Sequence, residues 1–316
     1  MIAAITGGTG FIGRKLVLRH LARGDEVRVL SRRAPSESGL PDSVKLWPGD
    51  LGDMTSMQSF VNGADVLYHC AGEIRAADRM EAVHVGGTRK LVDAAAGRIG
   101  RWVQLSSVGA YGKQQEGIVT EKTDLNPQGI YEVTKVAADE LVQAAAARGA
   151  FEHVILRPSN VYGGEMTNQS LFGLISMIQR GLFFFIGKPG ASANYIHVDN
   201  VAEALLLCGI SRNATGRVFN LSDHRSMEQF VAAIAKGLEK NMPRMRLPEA
   251  PIRLIAELAR NFRDFPLTEA RIDAMTNRAI YSSARIEQEI GYHHIVSMEE
   301  GVMELVNAWK LKTLSR

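Results

Sequence analysis

The chain has 316 residues, 46% of them hydrophobic and 22% charged, and it carries a net charge of +3 at pH 7. That length accommodates one large α/β domain or a domain with a smaller lobe, and the ordinary composition excludes disordered and collagen-like proteins. The lysines and arginines are scattered along the chain, which does not favour a nucleic-acid partner.

The sequence lacks the patterns of export and of membrane insertion. Residues 1–5 are apolar, but no basic region precedes a long apolar stretch, as it does in a signal peptide. The longest apolar patch, 182–186, is far shorter than the ~18 to 20 residues of a membrane span. The two cysteines, Cys70 and Cys208, lack the spacing of a metal site, and Cys70 lies in an apolar run. We therefore expect a cytoplasmic protein without a metal ion or a membrane partner.

Short β-branched segments alternate with helical patterns over the first two-thirds of the chain. The predicted strands are Ile2–Ile5, Glu26–Leu30, Val44–Trp47, Val66–His69, Trp102–Leu105 and His153–Leu156. The predicted helices between them are Ile12–Arg23, Met54–Asn62, Val85–Ala96 and Ile130–Arg148. Since the strands are apolar throughout, the pattern predicts an α/β fold whose parallel sheet is covered by helices on both faces.

The alternation ends after Pro158. The next predicted elements are a helix over Leu171–Arg180, a strand over Tyr195–Val198 and a helix over Val201–Gly209. Asp199 or Asn200 is the expected N-cap of that last helix, and the chain beyond residue 222 is mostly helical. We therefore expect a sheet domain of residues 1–165, to which 190–222 returns, and a smaller, mainly helical lobe of residues 166–189 and 223–316.

A glycine-rich loop, TGGTGFIG at residues 6–13, joins the first strand to the first helix. Its glycines allow a tight turn and let backbone N–H groups approach a pyrophosphate, while the last glycine permits close packing of helix and strand. The positive end of the helix dipole faces the same place. The loop therefore predicts a dinucleotide site, with the contact residues Gly7, Gly10, Phe11, Ile12 and Gly13.

The residues after the second strand indicate which dinucleotide is bound. An acid at this point accepts the adenine-ribose hydroxyls and repels a phosphate. Here Ser31 takes that place, and Arg32 and Arg33 follow, which can bind a 2′-phosphate through their guanidinium groups. The sequence favours NADP over NAD, with NAD still possible, unless both arginines are only solvated loop charges.

Two residues after the third strand are further cofactor candidates. Asp50 can accept a hydrogen bond from the adenine amino group, and Leu51 can pack on the adenine ring. Asp50 is also a candidate N-cap of the helix that begins at Met54, although Asp53 is better placed to cap it.

Tyr131 and Lys135 lie one helical turn apart, so both side chains project from one face. A lysine ammonium beside a phenol is expected to lower the tyrosine pKa from about 10 toward the working pH, and it can also donate to ribose hydroxyls. Tyr131 would then exchange a proton with a substrate oxygen while hydride moves at the adjacent carbon. Ser107 follows the strand Trp102–Leu105 at the carboxyl end of the sheet, where its hydroxyl can hold the same oxygen.

Several segments together resemble the extended short-chain dehydrogenase/reductase family, also called the NAD-dependent epimerase/dehydratase family, over nearly the whole chain. They are TGGTGFIG (6–13), YHCAG (68–72), VGGT (85–88), LSSVGAYG (105–112), RPSNVYG (157–163), YIHVD (195–199) and SSAR (282–285). The resemblance implies a Rossmann-type, doubly wound sheet that binds NAD(P), with the C-terminal lobe holding a small-molecule substrate. It also implies a homodimer joined by a four-helix bundle that includes Ile130–Arg148.

The resemblance extends the set of expected site residues. It assigns the catalytic roles to Ser107, Tyr131 and Lys135. It adds cofactor contacts to those of the glycine loop and the strand ends, namely Cys70, Ala71, Gly72, Tyr131, Lys135, Pro158, Asn160 and Val161. Tyr111 and Asn160 are candidate substrate contacts, with a packing role open for Tyr111. His197 lies in a strand, where a histidine is more often a buried core residue than a ligand.

Two departures from the family pattern bear on the substrate. Nucleotide-sugar members carry an arginine two residues before the Tyr-Ile-His-Val segment, where this chain has Ala193, although Lys188, Arg180, Arg212 or Arg217 remain possible substitutes. His84 stands where many relatives have asparagine. Val108 and Gly109 after Ser107 disfavour dehydratase chemistry, because dehydratases place Asp-Glu near that serine. A ketoreductase acting on an apolar ketone and a nucleotide-sugar epimerase both stay open, and the apolar stretch 171–186 would suit the former.

A non-catalytic sensor or assembly protein that keeps the cofactor fold is the alternative from another class. Such relatives commonly lose the tyrosine or the lysine, and this chain has both Tyr131 and Lys135. The complete set of site roles therefore favours an enzyme.

Overall fold

The structure is a computed structural model that describes residues 1–166, 170–258 and 268–314. Its strands, in chain order, are β1 (Ile2–Thr6), β2 (Glu26–Ser31), β3 (Lys45–Pro48), β4 (Ala64–His69), β5 (Ile99–Leu105), β6 (Glu116–Val119), β7 (Glu152–Pro158), β8 (Asn160–Tyr162), β9 (Phe185–Ile186), β10 (Ser192–His197), β11 (Arg217–Leu221), β12 (Asp223–Ser226), β13 (Arg246–Leu247) and β14 (Arg278–Tyr281).

The α-helices are α1 (Phe11–Ala22), α2 (Pro35–Ser38), α3 (Met54–Val61), α4 (Ala77–Glu81), α5 (Thr88–Ala95), α6 (Ile130–Ala147), α7 (Ser170–Gln179), α8 (Val198–Ile210), α9 (Met227–Gly237), α10 (Glu249–Leu258), α11 (Glu269–Thr276), α12 (Ala284–Ile290) and α13 (Met298–Leu314). A π-helical segment, Ala82–Gly87, joins α4 to α5, and two short 3₁₀ turns span Val108–Tyr111 and Arg212–Ala214. In the part of the chain that the structure describes, no helix has the length and apolarity that a membrane span requires.

Seven parallel strands form the central sheet, in the order β3-β2-β1-β4-β5-β7-β11. The order reverses between β1 and β4, which is the switch point of a doubly wound sheet. One face packs against α1 and α8 through buried residues such as Leu16 and Leu205. The other face packs against α3, α5 and α6 through Phe60, Leu91 and Val142. The sequence-based prediction of a Rossmann-type sheet covered on both faces is confirmed.

A second apolar core lies outside the central sheet. It is built from α7, α9 and α13, with Ile175, Phe230 and Val302 among its fully buried members. The short sheets β8-β10-β12, β9-β13 and β6-β14 accompany it. The expected mainly helical lobe is therefore present, but residues 167–169, 259–267 and 315–316 of its predicted range lie outside the described residues. The boundaries of the two domains stay a prediction. In the segment 190–222, which was expected to return to the sheet domain, β11 joins the central sheet whereas β10 does not.

All six predicted strands of the first two-thirds are present, with ends that differ by a few residues. Two other predictions are wrong. The helix expected over Val85–Ala96 is α-helical only in α5, because the preceding turns are π-helical. Asp199 and Asn200 do not cap α8, which begins at Val198. His197 is its N-cap, and the Nδ1 atom of His197 accepts the Asp199 N–H at 3.4 Å.

Arg101 connects β5 to β7 and to the end of α8. Its guanidinium is largely buried and donates to the Glu152 carboxylate and the Thr215 hydroxyl. It also donates to the carbonyls of Cys208, Gly209 and Ser211. A buried guanidinium with carboxylate and carbonyl partners fixes its neighbours strongly, because losing it leaves buried acceptors without donors.

We predict that Arg101→Met lowers the free energy of unfolding by about 3 kcal/mol, because the α8 carbonyls lose their donors. Urea unfolding measures this change. Arg89→Met, which alters an exposed arginine of α5, is the control, with an expected change within about 0.5 kcal/mol. Equal stability of the two variants would contradict this role of Arg101.

Candidate active site

A cavity of about 860 Å³ opens at the carboxyl ends of β1, β2 and β4. Predicted cofactor residues on its wall are Gly7, Gly10, Arg32, Arg33, Asp50, Leu51, Cys70, Ala71 and Gly72. Arg79 and Lys90 also line it, and sequence reasoning missed both because they lie on helices outside the motifs. Its size suits a small-molecule or cofactor site, and its place at the switch point is the usual one for a dinucleotide.

The glycine loop leaves its backbone open to the cavity. Gly7 has φ +69°, a conformation that favours glycine, and a Cβ there would lie 2.7 Å from the backbone between Cys70 and Ala71. Gly13 does not line the cavity. A Cβ at Gly13 would lie 2.2 Å from the Gly7 carbonyl oxygen, so this glycine lets α1 pack directly on the loop. These close approaches fit a pyrophosphate cradle, which a larger side chain at either position would disrupt.

The other predicted cofactor residues, Phe11, Ile12, Tyr131, Lys135, Pro158, Asn160 and Val161, lie outside the cavity wall. Phe11 approaches Gly163, where an added Cβ would lie 3.3 Å from its ring. Asn160 is exposed at the start of β8, and Val161 packs partly against the core of the sheet domain. Direct contacts of these residues with a dinucleotide stay a prediction.

The arginines and the aspartate predicted on the cavity wall lie after different strands, β2 and β3. Arg32 and Arg33 are exposed beyond β2, where Ser31 accepts the Arg33 N–H at 3.0 Å. Asp50 accepts the Gly52 N–H at 2.6 Å, and Asp53 caps α3 by accepting the N–H groups of Thr55 and Ser56. The preference for Asp53 as the helix cap is confirmed. Asp50 is therefore left on the cavity wall with a turn-forming hydrogen bond.

His69 ties the glycine loop to α5 from below the cavity. Its Nδ1 lies 2.7 Å from the Thr6 hydroxyl and its Nε2 lies 3.0 Å from the Thr88 hydroxyl, with all three side chains buried. The Thr6 hydroxyl also accepts the Ala71 N–H at 3.3 Å. Burial lowers the pKa of His69 to about 3, with the charge of Lys135 contributing in the same direction. His69 is thus a neutral ring that joins two walls of the cavity.

A second buried histidine, His84, lies between the cavity wall and α6. Its Nε2 accepts the Glu73 N–H at 2.9 Å, and its Nδ1 lies 2.8 Å from the Thr134 hydroxyl. Its ring meets the Tyr131 ring edge-on, with 5.5 Å between centroids. Burial lowers the pKa of His84 to about 4.

Two of the three predicted catalytic residues, Ser107 and Lys135, lie at the end of β5, and Tyr131 lies one helical turn before Lys135 on α6. The Lys135 ammonium donates to the Leu105 carbonyl, two residues before Ser107. Ser107 caps the turn that follows β5, and its Oγ accepts the Gly109 N–H at 3.1 Å. Tyr131 lies in the first turn of α6, one helical turn before Lys135. The structure therefore brings the elements that carry these side chains together, next to the cavity wall at Cys70–Glu73.

The expected lowering of the Tyr131 pKa is wrong for this structure. Burial raises the pKa of Tyr131 to about 12, and the nearby carboxylates of Glu132 and Asp139 act in the same direction. The Lys135 ammonium is buried as well, which lowers its own pKa, and it donates to a backbone carbonyl. Desolvation of the phenolate is the largest cause of this shift. Tyr131 is therefore protonated at neutral pH.

Sequence reasoning did not reveal a buried polar cluster beneath the turn that Ser107 caps. The Asp139 carboxylate accepts from the Ser106 hydroxyl at 2.7 Å and from the Arg157 guanidinium at 3.3 Å. Burial raises the pKa of Asp139, and Arg157 opposes that shift. The i, i+4 spacing of Lys135 and Asp139 on α6 is the signal that places this carboxylate beside the site.

Tyr111 belongs to the same cluster and is withdrawn as a substrate contact. It has no exposed surface, and its hydroxyl donates to the Asn220 side-chain oxygen at 2.7 Å. The Arg157 guanidinium lies over its ring, 5.2 Å from the centroid. Tyr111 therefore packs beneath the site instead of lining it.

Two features of the smaller lobe that the sequence singled out are parts of its core and not of an open pocket. The apolar stretch 171–186 contributes its large side chains, such as Phe172 and Ile178, to the second core. His197 is buried, with its Nε2 3.3 Å from the Glu304 carboxylate. The stretch packs the lobe, and His197 connects β10 and α13, so neither feature by itself identifies a substrate.

Comparisons with known proteins place this geometry in a family. The family model described as "NAD dependent epimerase/dehydratase family" matches residues 3–222. The chain is 30% identical to sterol demethylase protein B of Methylococcus capsulatus over 92% of this chain and 93% of that protein. It is 25% identical to human short-chain dehydrogenase/reductase family 42E member 1, over 91% of this chain and 82% of that protein.

Among solved structures, the chain is similar to UDP-glucuronic acid 4-epimerase from Bacillus cereus in complex with NAD. The TM-score is 0.75 at 17% identity, and the match covers 99% of each chain. Identity at that level shows a shared fold.

We predict that acid destabilises the protein through His69 and His84. In the unfolded chain each histidine binds a proton near pH 6.5, whereas the folded pKa values are about 3 and about 4. Between those values the unfolded state holds more protons, so the free energy of unfolding falls as the pH falls, by about 1.4 kcal/mol per pH unit for each histidine. Urea unfolding from about pH 7 to about pH 4.5 at fixed ionic strength measures this slope.

His84→Gln should flatten that slope, because the variant has one fewer group to protonate on unfolding. His293→Gln, which alters an exposed histidine, is the matched control and should keep the slope of the original chain. A slope that is the same in all three proteins would contradict the neutral burial of His84.

Proposed function

The chain belongs to the NAD dependent epimerase/dehydratase family, and on that premise we propose that it transfers hydride between NADP and a carbonyl or secondary alcohol carbon, with Tyr131 as the acid–base group. The observation that carries this proposal is that Lys135 donates to the end of β5 next to the Ser107 turn, with Tyr131 one helical turn away on α6. Gly7 and Gly72 line the cavity and pack closely on the protein behind them, so their backbone forms part of the cavity wall, which fits a dinucleotide.

Tyr131, Ser107 and Lys135 have separate roles in the proposed reaction. NADP supplies or accepts the hydride when it is bound. In the direction of reduction, Tyr131 gives its phenolic proton to the substrate oxygen, while Ser107 donates a hydrogen bond to that oxygen. Lys135 stabilises the phenolate that remains. Because burial keeps the phenol protonated at neutral pH, the structure favours Tyr131 as the proton donor.

The preference for NADP rests on the charges around the cavity. Arg32 and Arg33 follow β2, and Arg79 and Lys90 face the same space from the helices. The end of β2 carries no carboxylate, so nothing there repels a 2′-phosphate. Guanidinium groups bind phosphate through charge-assisted hydrogen bonds. These charges support NADP, with NAD as the other possible cofactor.

We propose a ketone or secondary alcohol without a nucleotide group as the substrate. Ala193 stands in β10 where nucleotide-sugar members have an arginine, and relatives of the chain include a sterol demethylase protein B. A nucleotide-sugar epimerase is the second candidate. The observation that favours it is Arg225, which lies opposite Ala193 in the register of β10 and β12, although Asp223 pairs with its guanidinium at 2.8 Å. A homodimer and a cytoplasmic location stay predictions.

We predict that Tyr131→Phe abolishes turnover, with a loss of about 10²-fold or more, but leaves NADPH binding intact, because only the proton donor is lost. Steady-state rates with a panel of ketones and nucleotide sugars, and titration calorimetry with NADPH, measure the two effects. Tyr68→Phe is the matched control, since among the described residues the buried Tyr68 hydroxyl has no hydrogen-bond partner. Full turnover by Tyr131→Phe would contradict the acid–base role of Tyr131. Tight NADPH binding by the original chain without turnover of any compound would favour the non-catalytic sensor.

We predict that replacing both Arg32 and Arg33 by Gln weakens NADPH binding by about tenfold or more and leaves NADH binding unchanged, because only NADPH carries the 2′-phosphate. Arg23→Gln, an exposed arginine after α1, is the control for a general loss of positive charge. Tighter binding of NADH than of NADPH by the original chain would overturn the cofactor preference.

A further inference from the structure

The π-helical segment Ala82–Gly87 contacts both the cavity and α6. Ala82, Val83, Gly86 and Gly87 line the dinucleotide cavity. His84 lies within the same segment but is buried and contacts both α6 and the loop at Glu73. π-Helical turns are uncommon and are frequent at functional sites, because they redirect a side chain without ending the helix. Here the turn lets one short segment contact the cavity and the catalytic helix together.

The hydrogen bonds of His84 specify its tautomer. Its Nε2 accepts the Glu73 N–H, so this atom carries no proton. The neutral ring therefore has its proton on Nδ1 and donates it to the Thr134 hydroxyl. That hydroxyl in turn donates to the Ile130 carbonyl at 2.7 Å in the first turn of α6. A directed chain of hydrogen bonds thus runs from the Glu73 backbone to the turn that carries Tyr131.

The His84 ring is closely packed at both ends of this series of hydrogen bonds. At the cavity wall, a Cβ on Gly72 would lie 3.3 Å from the His84 Nε2 atom, so the ring packs directly behind that backbone. At the helix, the ring edge packs on Tyr131. The charged groups that act on the imidazole are Lys135 on α6 and Glu73 on the loop. The ring therefore occupies the whole gap between wall and helix.

We propose that His84 is a positioning residue that sets the distance between the cavity wall at Gly72–Glu73 and the Tyr131 turn, and so aligns a bound dinucleotide with the acid–base group. Its kinetic consequence rests on the proposed function. A shift of about 1 Å in such an alignment costs about 10²-fold in rate, whereas binding to the cavity wall changes little. If His84 only packed the core, its substitution would lower the stability of the protein but would not lower the rate while leaving NADPH binding unchanged.

The first test is kinetic. His84→Phe keeps a ring but removes both hydrogen bonds, and it should lower kcat by about tenfold or more while the NADPH dissociation constant changes by less than about threefold. His84→Gln has an amide that can accept and donate, so it should restore part of the rate. Thr134→Val removes only the helix-side acceptor and should lower kcat in the same way, with no further loss when combined with His84→Phe.

The matched control is His20→Phe. His20 is equally buried and bonded to Asp25, but it packs on Tyr68 at the other side of the sheet domain. It should lose stability without a change in kcat. Equal effects of His20→Phe and His84→Phe on kcat would overturn the proposal, as would an unchanged kcat in Thr134→Val. If His84→Phe does not fold, Thr134→Val and His84→Gln decide the question.

A second test does not need turnover. Long-range ¹H–¹⁵N correlation spectra, assigned with His84→Gln, should show His84 as the neutral Nδ1–H tautomer from about pH 5.5 to about pH 8. An Nε2–H tautomer, or titration within that range, would overturn the hydrogen-bond chain. If no ketone or nucleotide sugar is turned over, the proposed function fails while this result still decides the role of His84.

Discussion

Thr6, His69 and Gln104 stand side by side because β1, β4 and β5 are parallel and in register. Every feature of the site depends on this alignment. The glycine loop, the Cys70–Glu73 loop and the Ser107 turn all leave the sheet at the same edge, and the first two of them line the cavity. Since parallel strands end together, chemistry that is distant in the sequence is collected at their carboxyl ends.

Buried polar groups then fix how these loops sit on the helices. His69 and His84 are neutral rings whose two nitrogens both have partners, so each holds a loop against a helix in one orientation. The Asp139–Arg157 ion pair lies beneath the Ser107 turn, and Asp139 follows Lys135 by one helical turn on α6. Such groups are costly to bury unless they are paired, and the directional bonds of His84 are the basis on which we propose that it positions Tyr131.

Strand positions and the glycine loop could be predicted from the sequence because their signals are local. Apolar β-branched runs marked the strands, and Gly13 marked the close packing of α1 on the loop. The partners of Tyr111 and the direction of the Tyr131 pKa shift could not be predicted. Both depend on burial and on side chains that are distant in the chain, such as Asn220, which periodicity does not reveal. The His197 cap was missed because histidine is an unusual N-cap.

The apolar stretch 171–186 packs a core in the smaller lobe, so its composition does not identify a substrate. The central claim is hydride transfer with Tyr131 as proton donor, and isotope tracing tests it most directly. NADPH carrying deuterium at the reactive carbon would be incubated with a panel of ketones, and the products analysed by mass spectrometry and NMR. Deuterium is expected on the carbinol carbon of the product. Tight NADPH binding without deuterium transfer to any ketone or sugar would contradict the central claim.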